Sequence, residues 1–382
     1  MVPAKRLIIL GSTGSIGRQT LETVARHPGR FELLALVGGS NVPALLEQAR
    51  QWDVGALGIA SEDAGGELRE GAPGARIVAG TAEIIELLLE LRPDLVVGAA
   101  SGVASLGPLL AALSHGIDVA IANKEPLVAA GHLITRAAAQ SGARLLPIDS
   151  EISAVFQCLE GHPEAQLARV LLTASGGPFR DYPRAKLAAV TPAMALAHPT
   201  WRMGPKITVD SATLANKGFE VFELKWLFGL EFSQIRVLIH PQSIVHSLVE
   251  FVDGSVLAQL GPPDMRFAIQ YALTWPQRLP NDFPKLDLAE ASDLSFGGPD
   301  FEKFPSLRLA YEAGEAGGSY PAVLNGANER AVELFVEGAI RFTDIPALVE
   351  RALADHRPVP TDSVADVMAV DRWAREQVSR TA

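Results

Sequence analysis

Short apolar runs alternate with stretches of helical periodicity through the first part of the chain. Six runs predict β-strands, at residues 7–10, 33–37, 56–59, 95–98, 119–121 and 145–148. Amphipathic patterns predict helices between them, at residues 19–26, 42–51 and 83–89. Continuous apolar runs are typical of strands buried on both faces, and the intervening helices supply the crossovers that parallel strands need. Residues 1–149 are therefore predicted to form a parallel α/β domain.

The pattern changes after residue 149. Residues 150–276 mix strand-like runs with a long polar segment, which predicts an α+β domain; the runs lie at 170–173, 237–239 and 247–251. Residues 277–305 are rich in Pro, Gly and Asp and predict a connecting linker. Residues 306–382 predict a C-terminal helical domain. One amphipathic helix there has an N-cap at Thr343 or Asp344, Pro346 in its first turn and an apolar face of Ile345, Leu348, Val349, Ala352 and Leu353.

Composition and charge narrow the class of protein. The formal net charge of −11 argues against a nucleic-acid-binding surface and against docking on an anionic membrane. The single cysteine, Cys158, cannot form an internal disulfide, so the chain fits a reducing compartment and we expect a cytoplasmic protein. The longest uncharged window, residues 95–117, is interrupted by glycines and Pro108. It predicts a strand, a loop and a helix rather than a membrane span.

A glycine-rich turn follows the first predicted strand and opens the first helix. Gly11, Gly14 and Gly17 have G-x-x-G-x-x-G spacing, and such glycines let the backbone approach a pyrophosphate at a helix N-terminus. With the parallel sheet, the turn predicts a Rossmann-like dinucleotide site; a tight turn without a ligand is the alternative. The turn at residues 38–41, after the second strand, carries no carboxylate for a ribose hydroxyl, which favours NADP over NAD.

Two polar triplets follow strands of the predicted sheet, where ligands lie in open α/β folds. Asn123-Lys124-Glu125 follows strand 119–121 and could contact cofactor and substrate; a solvated loop is an equally good interpretation. Asp149-Ser150-Glu151 follows strand 145–148. If the chain turns there, its two carboxylates and that of Glu220 would make an oxygen-only site for Mg²⁺ or Mn²⁺. A capping Asp and a surface Glu are the alternative for this triplet considered alone.

The polar segment at residues 198–220 carries the largest set of reactive side chains. Its Ser, Asn and Lys residues can donate hydrogen bonds to a phosphate, and its glutamate can bind a hard cation. A polar surface loop that leads into a helix is the alternative. Ser175-Gly176-Gly177, after strand 170–173, could offer a hydroxyl and backbone N–H groups to a phosphate, with a plain turn as the alternative. His246 lies in a strand edge, and we expect it to be structural.

Taken together, these motifs resemble the 1-deoxy-D-xylulose 5-phosphate reductoisomerase family of the non-mevalonate route to isoprenoid precursors. The resemblance covers nearly the whole chain. It includes the glycine-rich turn, both triplets, Pro-Thr-Trp-Arg-Met-Gly-Pro-Lys at 199–206, Asn-Lys-Gly at 216–218 and Leu-Asn-Gly-Ala-Asn-Glu at 324–329. It implies a homodimer with an N-terminal NADPH domain (1–149), a catalytic and dimerisation domain (150–276) and the helical domain. A mobile flap at about 198–206 belongs to the catalytic domain.

The resemblance also implies a role for each matching residue. NADPH would contact Thr13, Gly14, Ser15, Ile16, Gly39, Ser40, Asn41, Asn123, Glu125 and Gly204. The divalent metal would be held by Asp149, Glu151 and Glu220. The substrate would contact Lys124, Ser150, Glu151, Ser175, His198, Trp201, Met203, Ser211, Asn216, Lys217 and Glu220, with Lys124, Glu151, His198 and Glu220 serving catalysis. Two positions depart from the family pattern: Ile152, where relatives usually carry His, and Ser40, where some carry Lys.

The implied reaction is the rearrangement and NADPH-dependent reduction of 1-deoxy-D-xylulose 5-phosphate to 2-C-methyl-D-erythritol 4-phosphate. Two other classes stay open. An NADP-dependent sugar-phosphate or semialdehyde dehydrogenase would not need three carboxylates, and its acylating form would need a nucleophilic cysteine. The apolar surroundings of Cys158 in the sequence argue against that form. A non-catalytic NADPH sensor would bind the cofactor without metal and without turnover.

Overall fold

The fold is described from a computed structural model, which covers residues 3–162, 166–199, 201, 203–291 and 293–382. The chain divides into two compact units. The first comprises the residues up to Pro126, His132–Asp149 and Met265–Phe283; the second comprises Leu127–Gly131, Ser150–Asp264 and Pro284–Ala382. Within these described ranges, no helix combines the length and the apolar character that crossing a bilayer requires.

A seven-stranded parallel sheet forms the centre of the first unit. Its strands are β1 Lys5–Leu10, β2 Phe31–Gly38, β3 Ala56–Ile59, β4 Arg76–Ala79, β5 Leu95–Gly98, β6 Asp118–Ile121 and β7 Leu145–Pro147. The six predicted strands are confirmed, and β4 is an additional edge strand. The spatial order is β4-β3-β2-β1-β5-β6-β7. Because the order reverses between β1 and β5, the carboxyl ends of these two strands form the switch point at which ligands bind in such sheets.

The helices follow the apolar periodicity of the sequence. They are α1 Ser15–Ala25, α2 Val42–Gln51, α3 Gly65–Gly71, α4 Thr81–Leu91, α5 Leu106–Ser114, α6 Glu125–Ser141, α7 Ser150–Leu159, α8 Pro192–Ala195, α9 Pro205–Thr213, α10 Ala215–Phe228, α11 Arg266–Thr274, α12 Pro305–Ala316, α13 Tyr320–Val336, α14 Asp344–Asp355 and α15 Val364–Thr381. In α4, for example, Ile84, Leu87 and Leu88 recur at helical spacing and are buried. The uncharged window 95–117 contains β5 and α5, as predicted.

A four-stranded mixed sheet belongs to the second unit. Its strands are β8 Leu167–Ala174, β9 Ile235–Ile239, β10 Val245–Phe251 and β11 Val256–Leu260, in the order β11-β10-β8-β9. β10 pairs antiparallel with β8 and β11, whereas β9 is parallel to β8. The edge strand β11 was not predicted. α7 packs against β10 and β11.

The C-terminal part of the second unit is helical, as predicted. Within α14 four of the five expected apolar residues are buried and Leu353 is partly exposed. Thr343 is the N-cap, without a side-chain capping bond. α13 is buried along most of its length and packs against both α14 and α15. α12 packs closely on α10, since a Cβ on Gly218 would lie 2.5 Å from the Cβ of Ala310. In the described part of residues 277–304, the only ladder contact is one bridge between Ile239 and Gly297.

Candidate functional site

The glycine-rich turn between β1 and α1 requires its glycines. Gly11 has a φ of +85°, and a Cβ there would lie 2.4 Å from the backbone nitrogen of Ala100, just after β5. A Cβ on Gly17 would lie 2.3 Å from the carbonyl oxygen of Gly11. Gly14 is the N-cap of α1 and makes no side-chain capping bond. The first turn of α1 therefore presents backbone N–H groups at the switch point, an arrangement suited to a pyrophosphate.

The other cofactor residues predicted in the first unit lie around this turn. Thr13, Ser15 and Ile16 are partly exposed. The neighbouring turn after β2 carries Gly39, Ser40 and Asn41, which are exposed. A Cβ on Gly38 would lie 3.6 Å from the Thr13 methyl group, so the two turns adjoin. Asn41 also caps α2, because its Oδ1 accepts a hydrogen bond from Ala44 N–H at 3.0 Å.

Replacing Gly17 with alanine is expected to weaken NADPH binding about tenfold or more and to lower the melting temperature. The added methyl group would overlap the backbone of Gly11 and Ser12, and overpacking of this kind costs about 1–3 kcal/mol. Quenching of protein fluorescence by NADPH measures the affinity. Gly66→Ala is the control, because nothing lies within 4 Å of its Cβ position. An unchanged NADPH affinity in Gly17→Ala would remove this turn from the cofactor site.

The triplet Asn123-Lys124-Glu125 is buried, so the solvated-loop alternative is wrong. The side-chain amide of Asn123 donates to the Gly102 carbonyl and to the Ser105 hydroxyl, both at 2.8 Å. Its role in this structure is thus to order the loop that precedes α5. Lys124 Nζ forms a buried ion pair with Asp149 Oδ2 at 2.5 Å. The chain ends that follow β6 and β7 are therefore joined by a lysine and a carboxylate.

Three carboxylates lie together at the start of α7 and on α10. One oxygen from each of Asp149, Glu151 and Glu220 lies within 4.8 Å of the other two. Lys217 Nζ pairs with Glu151 at 3.0 Å and with Glu220, and it is 4% exposed. Among the residues that the structure describes, this set offers three carboxylate oxygens and no sulfur or nitrogen ligand, which fits a hard divalent cation such as Mg²⁺ or Mn²⁺. The two lysines offset the negative charge of this group.

α9 and α10 position the rest of the polar segment. Leu214, in the left-handed conformation with φ 61°, joins the two helices. Asn216, Lys217 and Glu220 share a face of α10, and Asn216 Nδ2 donates to Glu220 Oε1 at 2.5 Å. Ser211 lies in the last turn of α9, and a Cβ on Gly177 would be 2.7 Å from its carbonyl oxygen. The surface-loop alternative is therefore wrong for residues 205–220, which are helical with Lys217 and Glu220 buried.

His198 connects the flap segment to the loop after β8. Its Nδ1 accepts a hydrogen bond from Trp201 N–H at 2.9 Å, and its Nε2 lies 3.2 Å from Ser175 Oγ. Burial lowers the pKa of His198, which favours the neutral ring with Nε2–H donating to Ser175. The Ser175 hydroxyl proton is then directed to another acceptor. Met203 and Gly204 are half-buried just before α9, and Thr200 and Arg202 of the predicted flap lie outside the described residues.

His246, which the sequence predicts to be structural, lies next to the candidate site, and its Nε2 is 3.3 Å from the Pro262 carbonyl oxygen. It is buried on β10, its ring centroid lies 6.4 Å from that of Trp201, and both Glu151 and Lys217 act on its pKa. Burial is the largest cause and lowers that pKa. Ile152, the departure from the family pattern, is fully buried on α7 beside Glu151.

The fold and the donor set indicate a class: a doubly wound dinucleotide-binding enzyme with a candidate cation site made of oxygen ligands. The sequence profile of 1-deoxy-D-xylulose 5-phosphate reductoisomerase matches residues 7–131. Two C-terminal profiles of the same enzyme match residues 145–228 and 260–377. Together the three profiles account for most of the chain.

Individual relatives indicate the same family as the profiles. The chain is 51% identical to the 1-deoxy-D-xylulose 5-phosphate reductoisomerase of Moorella thermoacetica, over 99% of this chain and 98% of the relative. The Zymomonas mobilis enzyme, solved in complex with NADPH, matches at 40% identity and a TM-score of 0.92, covering 99% of each chain. Another reductoisomerase, solved with NADPH, fosmidomycin and magnesium, matches at 38% identity and a TM-score of 0.94, covering 98% of each chain. The chain belongs to the 1-deoxy-D-xylulose 5-phosphate reductoisomerase family.

Proposed function

We propose that this enzyme converts 1-deoxy-D-xylulose 5-phosphate into 2-C-methyl-D-erythritol 4-phosphate, using NADPH and a divalent cation. The observation that carries the proposal is the group of three converging carboxylates with Lys217 and Asn216 beside it, in a member of this family. A dehydrogenase that only moves a hydride has no need for three converging carboxylates. A sensor needs neither them nor a lysine placed among them.

The phosphate of the substrate is assigned to hydroxyl, amide and ammonium donors. These are Ser175, Ser211, Asn216 and Lys217, with His198 orienting the Ser175 hydroxyl. Ser150, Trp201 and Met203 complete the substrate contacts, and Trp201 and Met203 close over the substrate as the flap. Binding energy from the phosphate, which does not react, positions the carbon skeleton for the rearrangement.

The chemistry divides between the metal, the cofactor and the side chains. Asp149, Glu151 and Glu220 would hold a Mg²⁺ or Mn²⁺ ion, and the bound ion would supply Lewis-acid chemistry for the oxygens of the substrate. Bound NADPH supplies the hydride that reduces the branched aldehyde formed by the rearrangement. Lys124, Glu151, His198 and Glu220 are assigned to catalysis, where groups of this kind can assist proton transfer. Residues 13–16 and 39–41, with Asn123, Glu125 and Gly204, are assigned to NADPH.

Cys158 has no part in this proposal, and its substitution is expected to show that. Burial raises the pKa of its thiol to about 11, so at pH 8 the side chain is the neutral thiol and not the nucleophilic thiolate. We expect Cys158→Ala to retain kcat within about twofold, since small apolar substitutions at such a site cause little change. Steady-state NADPH oxidation measures this. An inactive but folded Cys158→Ala enzyme would favour the acylating dehydrogenase.

Two further features support a proposal for the assembly and the cellular location of the protein. We assign a homodimer, supported by the edge strand β11, which presents exposed Val256 and Leu257 next to an open backbone edge. Sedimentation velocity of the purified chain measures this oligomeric state.

We assign the protein to the cytoplasm, supported by the use of NADPH and by a single, buried cysteine.

Product analysis tests the proposal. The enzyme is incubated with NADPH, Mg²⁺ and 1-deoxy-D-xylulose 5-phosphate, and the product is identified by NMR. One equivalent of 2-C-methyl-D-erythritol 4-phosphate for each NADPH oxidised is the expected result. A straight-chain alcohol, formed by direct reduction of the ketone without metal, would assign the chain to the dehydrogenases. NADPH binding without any product would favour the sensor.

A further inference from the structure

The motif Leu-Asn-Gly-Ala-Asn-Glu at residues 324–329 has no part in the function described so far. It lies on α13, and Asn325 and Asn328 are both buried there. Buried amides cost free energy unless they are hydrogen-bonded, so each one calls for a structural reason. The two amides have different partners. Asn325 Nδ2 donates to Asp371 on α15 at 3.2 Å, whereas Asn328 Nδ2 donates to Asp210 on α9 at 2.8 Å.

Asp210 is a buried carboxylate on α9, between the end of the flap segment and Ser211 in sequence. It is 1% exposed and accepts from Asn328 at one oxygen. Its other oxygen pairs with Lys206 Nζ at 2.8 Å, one turn earlier on α9. Its backbone carbonyl accepts a hydrogen bond from Thr213 Oγ1 at 3.2 Å, just before the junction with α10. Asp210 thus fixes both ends of α9 and adjoins Ser211 in sequence.

Lys206 contacts both Asp210 on its own helix and Phe219 on α10. It is the last residue of the flap segment and lies in the first turn of α9. Its ammonium group also lies 4.6 Å from the ring centroid of Phe219, next to Glu220 on α10. A shift of Asp210 would therefore move the end of the flap, the Ser211 hydroxyl and the contact with α10 together. Asn328, on the C-terminal helix α13, holds Asp210 in place through its hydrogen bond.

We propose that Asn328 is a positioning residue for catalysis: through Asp210 and Lys206 it sets the end of the flap and the Ser211 side of the phosphate site. α13 is itself held firmly. Arg375 on α15 binds Glu329, the residue next to Asn328, and also Asp371 at 2.8 Å and Glu333 at 3.1 Å. The C-terminal helices thereby provide a rigid support from which one amide reaches the catalytic region.

The test compares Asn328→Leu with Asn325→Leu in the full-length enzyme. Both variants remove a buried amide from the same helix, so both are expected to lower the melting temperature. Only Asn328→Leu is expected to raise KM for 1-deoxy-D-xylulose 5-phosphate, by about tenfold with kcat lowered less than about threefold, since misplaced binding groups impair substrate positioning. Asn325→Leu should leave KM within about twofold of the wild type.

A second experiment exchanges the side chains of Asp210 and Asn328. Asn328→Asp alone places two carboxylates in contact and should raise KM further. The double variant Asp210→Asn, Asn328→Asp restores an amide-to-carboxylate hydrogen bond but gives up the ion pair with Lys206. We therefore expect its KM to lie below that of Asn328→Asp alone and above that of the wild type. If Asn328→Leu does not fold, Lys206→Met, at a partly exposed side chain, should raise KM in the same direction.

The inference rests on the proposed function, and the wild-type assay separates the two. Wild-type enzyme that does not consume the substrate would refute the proposed function. Active wild-type enzyme with an unchanged KM in Asn328→Leu, or with an equal rise in Asn325→Leu, would refute the positioning role alone. A double variant whose KM stays as high as that of Asn328→Asp alone would also refute the positioning role.

Discussion

Replacing Glu220 with glutamine is expected to abolish metal-dependent turnover while NADPH still binds. The substitution keeps the shape of the side chain but removes one of the three carboxylates that lie within 4.8 Å of one another. We expect kcat/KM at saturating Mg²⁺ to fall on the order of a thousandfold, about 4 kcal/mol of transition-state stabilisation. Initial rates of NADPH oxidation measure turnover, and fluorescence quenching measures the NADPH affinity, which should stay within about twofold.

Glu312→Gln is the matched control for this substitution. Glu312 is a surface glutamate on α12 that pairs with Arg308, and exposed pairs of this kind contribute at most about 1 kcal/mol to stability. We expect its activity to equal that of the wild type. Full activity in folded Glu220→Gln enzyme would contradict the assignment of the cation site. Loss of NADPH binding in the same variant would indicate a general disruption instead.

Replacing Lys217 with methionine is expected to raise KM for 1-deoxy-D-xylulose 5-phosphate about a hundredfold, because one charged hydrogen bond to phosphate contributes about 1.5–3 kcal/mol. A second effect should have the opposite sign. Lys217 Nζ pairs with both Glu151 and Glu220, two of the three proposed cation ligands. Without this competing ammonium, the substrate-free enzyme should bind Mg²⁺ more tightly. Calorimetric titration with Mg²⁺ and steady-state kinetics at saturating Mg²⁺ measure the two effects.

Lys225→Met is the control on the same helix. Lys225 is partly exposed and pairs with Glu231, on the side of α10 away from the carboxylates. Neither KM nor the Mg²⁺ affinity should change in this variant. Weaker Mg²⁺ binding in Lys217→Met would show that the lysine supports the cation site rather than competing with the cation. An unchanged KM would remove Lys217 from the phosphate contacts.

The sequence predicts the parallel sheet well because its central strands are continuous apolar runs. Strands such as 7–10 and 95–98 are buried on both faces, and that burial is visible in the residue types themselves. The two missed strands are edge strands. β4 is short and only half-buried, and β11 exposes Val256 and Leu257, so neither has the pattern of a buried strand.

The candidate site is predictable where it depends on strand ends and unpredictable where it depends on packing between distant segments. Asp149 and Glu151 follow β7 directly, so their convergence could be anticipated from the sequence. The burial of Lys124 and the position of Lys217 among carboxylates depend on contacts 25 and 66 residues apart in sequence. The hydrogen bond between Asn328 and Asp210 spans 118 residues. No local sequence pattern specifies pairs of residues so far apart in the chain, so these contacts are visible only in the folded structure.

The rate of NADPH oxidation with and without 1-deoxy-D-xylulose 5-phosphate, and with and without Mg²⁺, is the most direct test of the whole account. A metal-dependent reductoisomerase oxidises NADPH only when the substrate and the cation are both present, and chelation of the cation with EDTA stops the reaction. Oxidation that continues at the same rate in EDTA would contradict the role of the three carboxylates. No oxidation in any combination, by folded enzyme that binds NADPH, would contradict the proposed reaction itself.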